Sequence, residues 1–225
     1  LKKKPCILTS YLNGSKIKNV ENKHCSQVGK VLSSMHLLAS DFLHRRPNSM
    51  DHNNWDKIFL KCKNLLSANY VNIFPIIEKE LLFLKKNWPI NLPKGIIHAD
   101  AFQDNVFFDD NKFTGLIDFY FSCYDFLAYD IALTINAWCF NSKAEFDNSK
   151  FQALISGYED ARLLENEEKK FLSILLRGAS IRILITRLHD QLFQLEGAYV
   201  KPKDPKEYFG ILNFHQKNDI TKYLK

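Results

Sequence analysis

Gly95-Ile96-Ile97-His98-Ala99-Asp100-Ala101-Phe102-Gln103-Asp104-Asn105-Val106-Phe107-Phe108, followed by Gly115-Leu116-Ile117-Asp118-Phe119, decides how this chain is read. The first stretch has the form His-x-Asp-x-x-x-x-Asn between two apolar runs, and the second closes on Ile-Asp-Phe. Phosphoryl transfer needs a carboxylate facing the acceptor hydroxyl, with an amide oxygen and a second carboxylate holding magnesium under the phosphates. Magnesium is a hard cation and takes oxygen ligands. Asp100, Asn105 and Asp118 supply that set in the order expected of a catalytic loop working on ATP. Read as apolar strand, polar turn and second strand, residues 95–119 predict a small catalytic β-hairpin that brings the three groups to one end of adjacent strands. The competing reading is a run of solvated turn formers, which suits Asp109-Asp110-Asn111-Lys112. The flanking strands and the correctly placed Ile-Asp-Phe favour the site.

Bulk properties narrow the field. A chain of 225 residues, 46% hydrophobic and 25% charged, fits one soluble globular domain or a domain with an appendage. No apolar run approaches bilayer length. The basic start Leu1-Lys2-Lys3-Lys4-Pro5 lacks the apolar core of a secretory signal. The five cysteines are an odd number with no Cys-x-x-Cys pair, which argues against a disulfide framework or a zinc site and predicts a cytoplasmic protein. A net charge of +6 spread over scattered lysines reads as solvated helix faces, so neither nucleic acid nor membrane is expected as a partner. None of the eight glycines is spaced to build a phosphate-cradling loop, and no Val-Ala-Ile-Lys-like strand precedes the motif.

Along the chain, Pro5–Leu12 reads as a strand stopped by the turn signal Asn13-Gly14-Ser15. Helical periodicity runs from His24 to Leu43, with Val28, Leu32, Met35, Ala39 and Phe42 on one stripe and His36 at its border, read as a packed or capping histidine. Arg45–Ser49 reads as loop. Further helical patterns cover Trp55–Leu66, Ile73–Trp88, Asp125–Phe140, Phe151–Tyr158, Glu167–Leu195 and a short terminal stretch near Tyr208–Phe214, with a loop at Lys201–Pro205. The expected fold class is α+β, mostly α.

The catalytic stretch His98–Phe108 resembles the aminoglycoside phosphotransferase and choline kinase superfamily, a small-molecule branch of the protein-kinase-like fold. Gly115–Asp125 and Tyr129-Asp130-Ile131-Ala132-Leu133-Thr134-Ile135-Asn136-Ala137-Trp138-Cys139 are similar, more narrowly, to the homoserine kinase family. Leu176–Arg182, Thr186-Arg187-Leu188 and Lys203-Asp204-Pro205 follow that family's C-terminal pattern. The resemblance runs over essentially the whole chain. It implies the C-terminal lobe of a kinase-like fold: residues 1–20 as the end of an N-lobe strand and the hinge, and 21–225 as the C-lobe, with the hairpin at 95–119 and a helical substrate-side subdomain at 125–225. An N-terminal lobe of the same polypeptide is then expected upstream. The implied activity is transfer of the γ-phosphate of ATP, with Mg2+, to the hydroxyl of L-homoserine. Alternatives are another small-molecule kinase of the superfamily, of choline or aminoglycoside type, or a nucleotide-binding remnant without turnover. The family usually has Gly where Ala99 sits and Arg where Gln103 sits. Ala99 matters if the backbone there needs a positive φ, and Gln103 removes a charge near the phosphates.

Roles follow from that reading. Asp100 is expected to accept the acceptor's proton, and Asn105 and Asp118 to bind magnesium. His98 is expected to brace the loop. Asp130 is expected either to buttress the loop or to complement its helix dipole. The acceptor is a zwitterion, so its carboxylate calls for a cation. Arginine's planar fork suits it. Arg182 and Arg187 are the candidates, against pairing with Asp190 or Glu196, and Asp125 is a weaker candidate for the ammonium. Tyr11 and Leu12 are expected at the adenine slot, or else in apolar core. Trp138 and Phe119 read as core or as part of a cation cage.

Overall fold

The computed structural model describes residues 8–65, 70–194 and 201–224. A long central helix organises it. This helix, α6 (Asn166–Leu192), packs against α7 (Pro205–Lys217), α4 (Leu127–Trp138), α2 (Trp55–Asn64) and α3 (Phe74–Asn87). Its middle, from Leu175 to Leu188, is almost wholly buried, as expected of a helix with neighbours on several sides. Helix α1 (Asn22–Leu38) lies on α5 (Asn148–Glu159). The two approach through facing glycines: a Cβ on Gly29 would meet Leu154 O at 2.1 Å, and one on Gly157 would meet Ser26 O at 2.0 Å.

Helix starts follow local chemistry. Asp147 caps α5 by accepting from the amides of Ser149 (3.0 Å) and Lys150 (3.1 Å). Asp204 caps α7 through Lys206 N at 2.8 Å, with Pro205 in the first turn where no amide is missed. In α6 the Glu168 carboxylate accepts from Glu165 N at 2.9 Å, half of a capping box.

The strands form two small sheets. β3 (Val106–Asp109) and β4 (Lys112–Leu116) make the hairpin, and β1 (Ser15–Lys16) pairs antiparallel with β3. β2 (Lys94–Ile97) does not join them. It pairs antiparallel with β5 (Cys123–Phe126), with Gly95 opposite Asp125. The hairpin proper is therefore Val106–Leu116, and the strand ahead of the catalytic loop belongs to a separate ladder.

The helices lie where periodicity places them, with their ends moved by a few residues. The first helix ends at Leu38, leaving Phe42 outside it and 55% exposed. The expected Pro5–Leu12 strand differs. Leu8–Leu12 form no strand; Pro5–Ile7 lie outside the described residues, as do Leu66 at the end of the expected Trp55–Leu66 helix and Leu195 at the end of the expected Glu167–Leu195 helix. The pairing instead begins at Ser15, within the expected turn, because the open edge of β3 reaches only Ser15 and Lys16.

Candidate active site

The loop after β2 is held from several sides. Asp130, in the first turn of α4 and fully buried, accepts from the amides of His98 (2.8 Å) and Ala99 (2.7 Å). Burial pushes its carboxyl up, but the hydrogen bond and charge of His36 and the His98 amide outweigh that and hold it below its ordinary value. His36 Nε2 donates to Asp130 Oδ2 at 3.0 Å, and its Nδ1 is hydrogen-bonded to the Tyr158 hydroxyl at 2.8 Å. Tyr158 in turn accepts from Arg162 Nη1 at 3.1 Å. His98 donates from Nε2 to Ile117 O at 3.0 Å and accepts Asp100 N at 3.2 Å on Nδ1. From the far end of α4, Trp138 Nε1 donates to Ala101 O at 2.7 Å, and Arg182 of α6 donates from Nη1 to Ala99 O.

Asp100, Asn105 and Asp118 meet at the mouth of this loop. The Asn105 amide donates to Asp100 O at 2.8 Å and Asp100 Oδ2 at 3.0 Å. That orientation leaves Asn105 Oδ1 with no bonded group among the described residues. Ile117 N donates to Asn105 O at 2.9 Å, which sets Asp118 beside them. Asp118 takes φ 63°, a left-handed conformation that aspartate tolerates. All three line one cleft of about 190 Å³, with Phe102, Arg187 and Lys203. Burial raises the Asp100 carboxyl above its ordinary value, opposed by Arg182 and His98 and reinforced by the charges of Asp118 and Asp104. An amide oxygen and a carboxylate, with room for phosphate oxygens and water, form a donor set that fits magnesium, which keeps several non-protein ligands.

The other expected residues are placed as follows. Arg182 is 3% exposed, lies over the Phe121 ring at 5.2 Å, and its Nε has no partner among the described residues. Arg187 lines the cleft and binds Glu207 Oε2 at 2.6 Å and Asp204 O at 3.0 Å, with its guanidinium 4.5 Å from the Tyr208 ring centre. Neither arginine pairs with Asp190, and Glu196 lies outside the described residues. Asp125 is apart from the cleft: it accepts from Asn48 Nδ2 at 2.7 Å on β5. Tyr11 is 89% exposed, while Leu12 lies against Gly115 of β4. Trp138 is core and Phe119 is half exposed against His98, at 4.6 Å between ring centres. These two rings do not form a cage. Gln103 donates to Ala137 O at 2.9 Å, tying the loop to α4. Ala99 sits at φ 63°, the left-handed region that glycine enters without strain.

Sequence reasoning gave no role to Asp104 or Lys203, which pair at 2.8 Å on the cleft wall. Burial lifts the Asp104 carboxyl, but the Lys203 hydrogen bond and charge bring it below its ordinary value. The run Asp104-Asn105 and the Lys203-Asp204-Pro205 signature were in view, but nothing local linked them.

Residues 1–164 match the sequence signature described as the phosphotransferase enzyme family. The chain belongs to that family. Among relatives of this phosphotransferase, homoserine kinase of Parvibaculum lavamentivorans is 41% identical over 216 residues, covering 96% of this chain and 67% of that protein. Homoserine kinase of Xanthobacter autotrophicus is 44% identical over 216 residues, with the same coverage. The chain thus spans about two thirds of the length of these relatives. Choline kinase of Cryptosporidium parvum superposes with a TM-score of 0.64 at 13% identity, over 92% of this chain and 68% of that one. At that identity it speaks for the fold alone: the phosphotransferase has the choline kinase architecture, α+β and mostly α.

Proposed function

We propose that this chain carries the catalytic lobe of an ATP-dependent homoserine kinase, which moves the γ-phosphate of ATP to the side-chain hydroxyl of L-homoserine. One observation carries the reaction class: the Asp100 carboxylate is bonded to the Asn105 amide beside Asp118 in a single cleft. The acceptor is taken from relatives 41–44% identical over nearly the whole chain. Asp100 accepts the hydroxyl proton as the oxygen attacks in line. Its raised affinity for protons brings it nearer to working pH than an ordinary aspartate. Asn105 and Asp118 would hold magnesium, which would neutralise charge on the phosphates. His98, Asp130 and Arg182 fix the loop's path, Arg187 faces the acceptor side from the cleft wall, and Tyr11 and Leu12 border the adenine.

The test is the complete polypeptide with Mg-ATP. Phosphorus NMR is expected to show O-phosphohomoserine, and Asp100→Asn is expected to lower turnover about 10²- to 10⁴-fold with ATP affinity kept. Phosphorylation of choline or an aminoglycoside with homoserine left untouched would refute the acceptor; unchanged turnover in the variant would remove Asp100 from its role.

A further inference from the structure

The catalytic cleft continues into a larger one of about 550 Å³, and the two share Phe102, Asp104, Arg187 and Lys203. Two opposite-charge pairs stand on this shared wall. Lys203 Nζ bonds Asp104 Oδ2 at 2.8 Å, with both side chains about half exposed at 56% and 43%. Arg187 Nη1 bonds Glu207 Oε2 at 2.6 Å. The larger cleft also holds Lys18 and Lys150, the latter 3.5 Å from Asp147 Oδ2. The Tyr208 hydroxyl, buried in its lining, has no partner among the described residues.

We propose that these two pairs read the amino-acid end of the acceptor: Lys203 and Arg187 take its carboxylate, and Asp104 and Glu207 take its ammonium. This rests on the reading of the acceptor as an α-amino acid alcohol. The Lys203–Asp104 pair, exposed on both sides, is weakly held and exchanges at little cost, whereas Arg187 is nearly buried and held in place by Glu207 and Asp204 O. A zwitterion can enter because it offers each wall charge a new partner of the right sign, leaving no charge unmatched. An acceptor that is only a cation brings no carboxylate for Lys203 and Arg187, so it leaves them without the new partner that a zwitterion supplies. The Lys203–Asp104 pair therefore acts as a placeholder for the substrate's own groups, with Arg187 a fixed cation beside it, next to the carboxylate that takes the proton.

The experiment compares acceptors in the complete polypeptide with Mg-ATP: L-homoserine, 3-aminopropan-1-ol, which lacks the carboxylate, and 4-hydroxybutanoate, which lacks the ammonium. Lys203→Met is expected to raise KM for homoserine about 10- to 100-fold, the loss of one charge-assisted bond, while KM for ATP stays in place. That penalty is expected to shrink several-fold for 3-aminopropan-1-ol, and Lys203→Arg is expected to recover most of it. Asp104→Asn is expected to show the reverse pattern, its penalty shrinking for 4-hydroxybutanoate. Equal penalties on all three acceptors mean that the pair only shapes the wall, and overturn the inference. So does a penalty on ATP or no penalty at all. If the wild-type polypeptide leaves homoserine untouched, the functional reading falls and this inference falls with it. Homoserine turnover without the selective penalties sinks the inference alone.

Discussion

Ala99 occupies a backbone position that favours glycine. At φ 63° its Cβ crowds the backbone, which costs about 1–2 kcal/mol, yet both its amide and its carbonyl are engaged, by Asp130 and Arg182. Those bonds hold the strained conformation in place. Ala99→Gly relieves the strain but returns about 0.5–1 kcal/mol of chain entropy to the unfolded state and gives up the burial of one methyl group, about 0.8 kcal/mol. The opposing effects nearly cancel, so chemical denaturation is expected to show a change within about 1 kcal/mol. Ala99→Val keeps the methyl and adds β-branching in a region where branched residues are outliers; it is expected to lose more than about 2 kcal/mol. Equal stability of the two variants would show that φ carries no strain here. At this scale, sequence distance decides what can be read. Asp100 and Asn105 stand on one short loop, so their meeting is implicit in their spacing. Asp104 and Lys203 are separated by 99 positions, and only the packing of α7 against the loop's flank brings them together.

Helices were legible as elements, and so were the apolar strands around the catalytic loop, but which strand pairs with which was not. The stripe of Val28 and Leu32 repeats with the helix period, and its residues are buried as that period requires. β2 and β5 are four residues each, too short for a period of two to declare itself, and their pairing across Gly95 and Asp125 is fixed by partners 30 positions apart. Cys123–Phe126 could therefore be read as the approach to a helix. What joins the helices to one another was equally hidden. Glu80 of α3, 2% exposed, forms a two-pronged pair with Arg177 of α6 at 2.6 and 2.7 Å, and Gln216 of α7 adds a third bond at 2.7 Å. Arg177 also lies 3.7 Å over the Phe83 ring. Removing one partner strands a buried charge. Arg177→Met is expected to cost about 3–5 kcal/mol in urea unfolding. The double change with Glu80→Leu is expected to recover a large part of that. Additive losses in the double variant would rule out the stranded carboxylate as the cause.

Across the whole molecule, stability should depend on acid through one buried imidazole. His215 of α7 donates from Nε2 to Asn136 Oδ1 at 2.8 Å, and Asn136 of α4 donates to Leu176 O and Ser180 Oγ of α6, both at 3.0 Å. This junction ties three helices at the centre of the fold. Burial, aided by the Arg177 charge, lowers the His215 pKa from 6.5 to about 3. A proton taken up below pH 6.5 therefore binds the unfolded chain in preference to the folded one. The native state is not penalised above that pH and loses ground steadily as pH falls toward 3. One such group shifts the balance by about 1.4 kcal/mol per pH unit. Between pH 6.5 and 4.5 the wild type is therefore expected to lose roughly 2 kcal/mol more than His215→Gln, whose amide keeps a donor for Asn136 but cannot be protonated. The other buried ionisable groups, Asp130 among them, are common to both proteins and cancel in the comparison. Denaturation midpoints measured across that pH range decide the matter: parallel curves for the two proteins would mean that His215 does not resist the proton inside the fold.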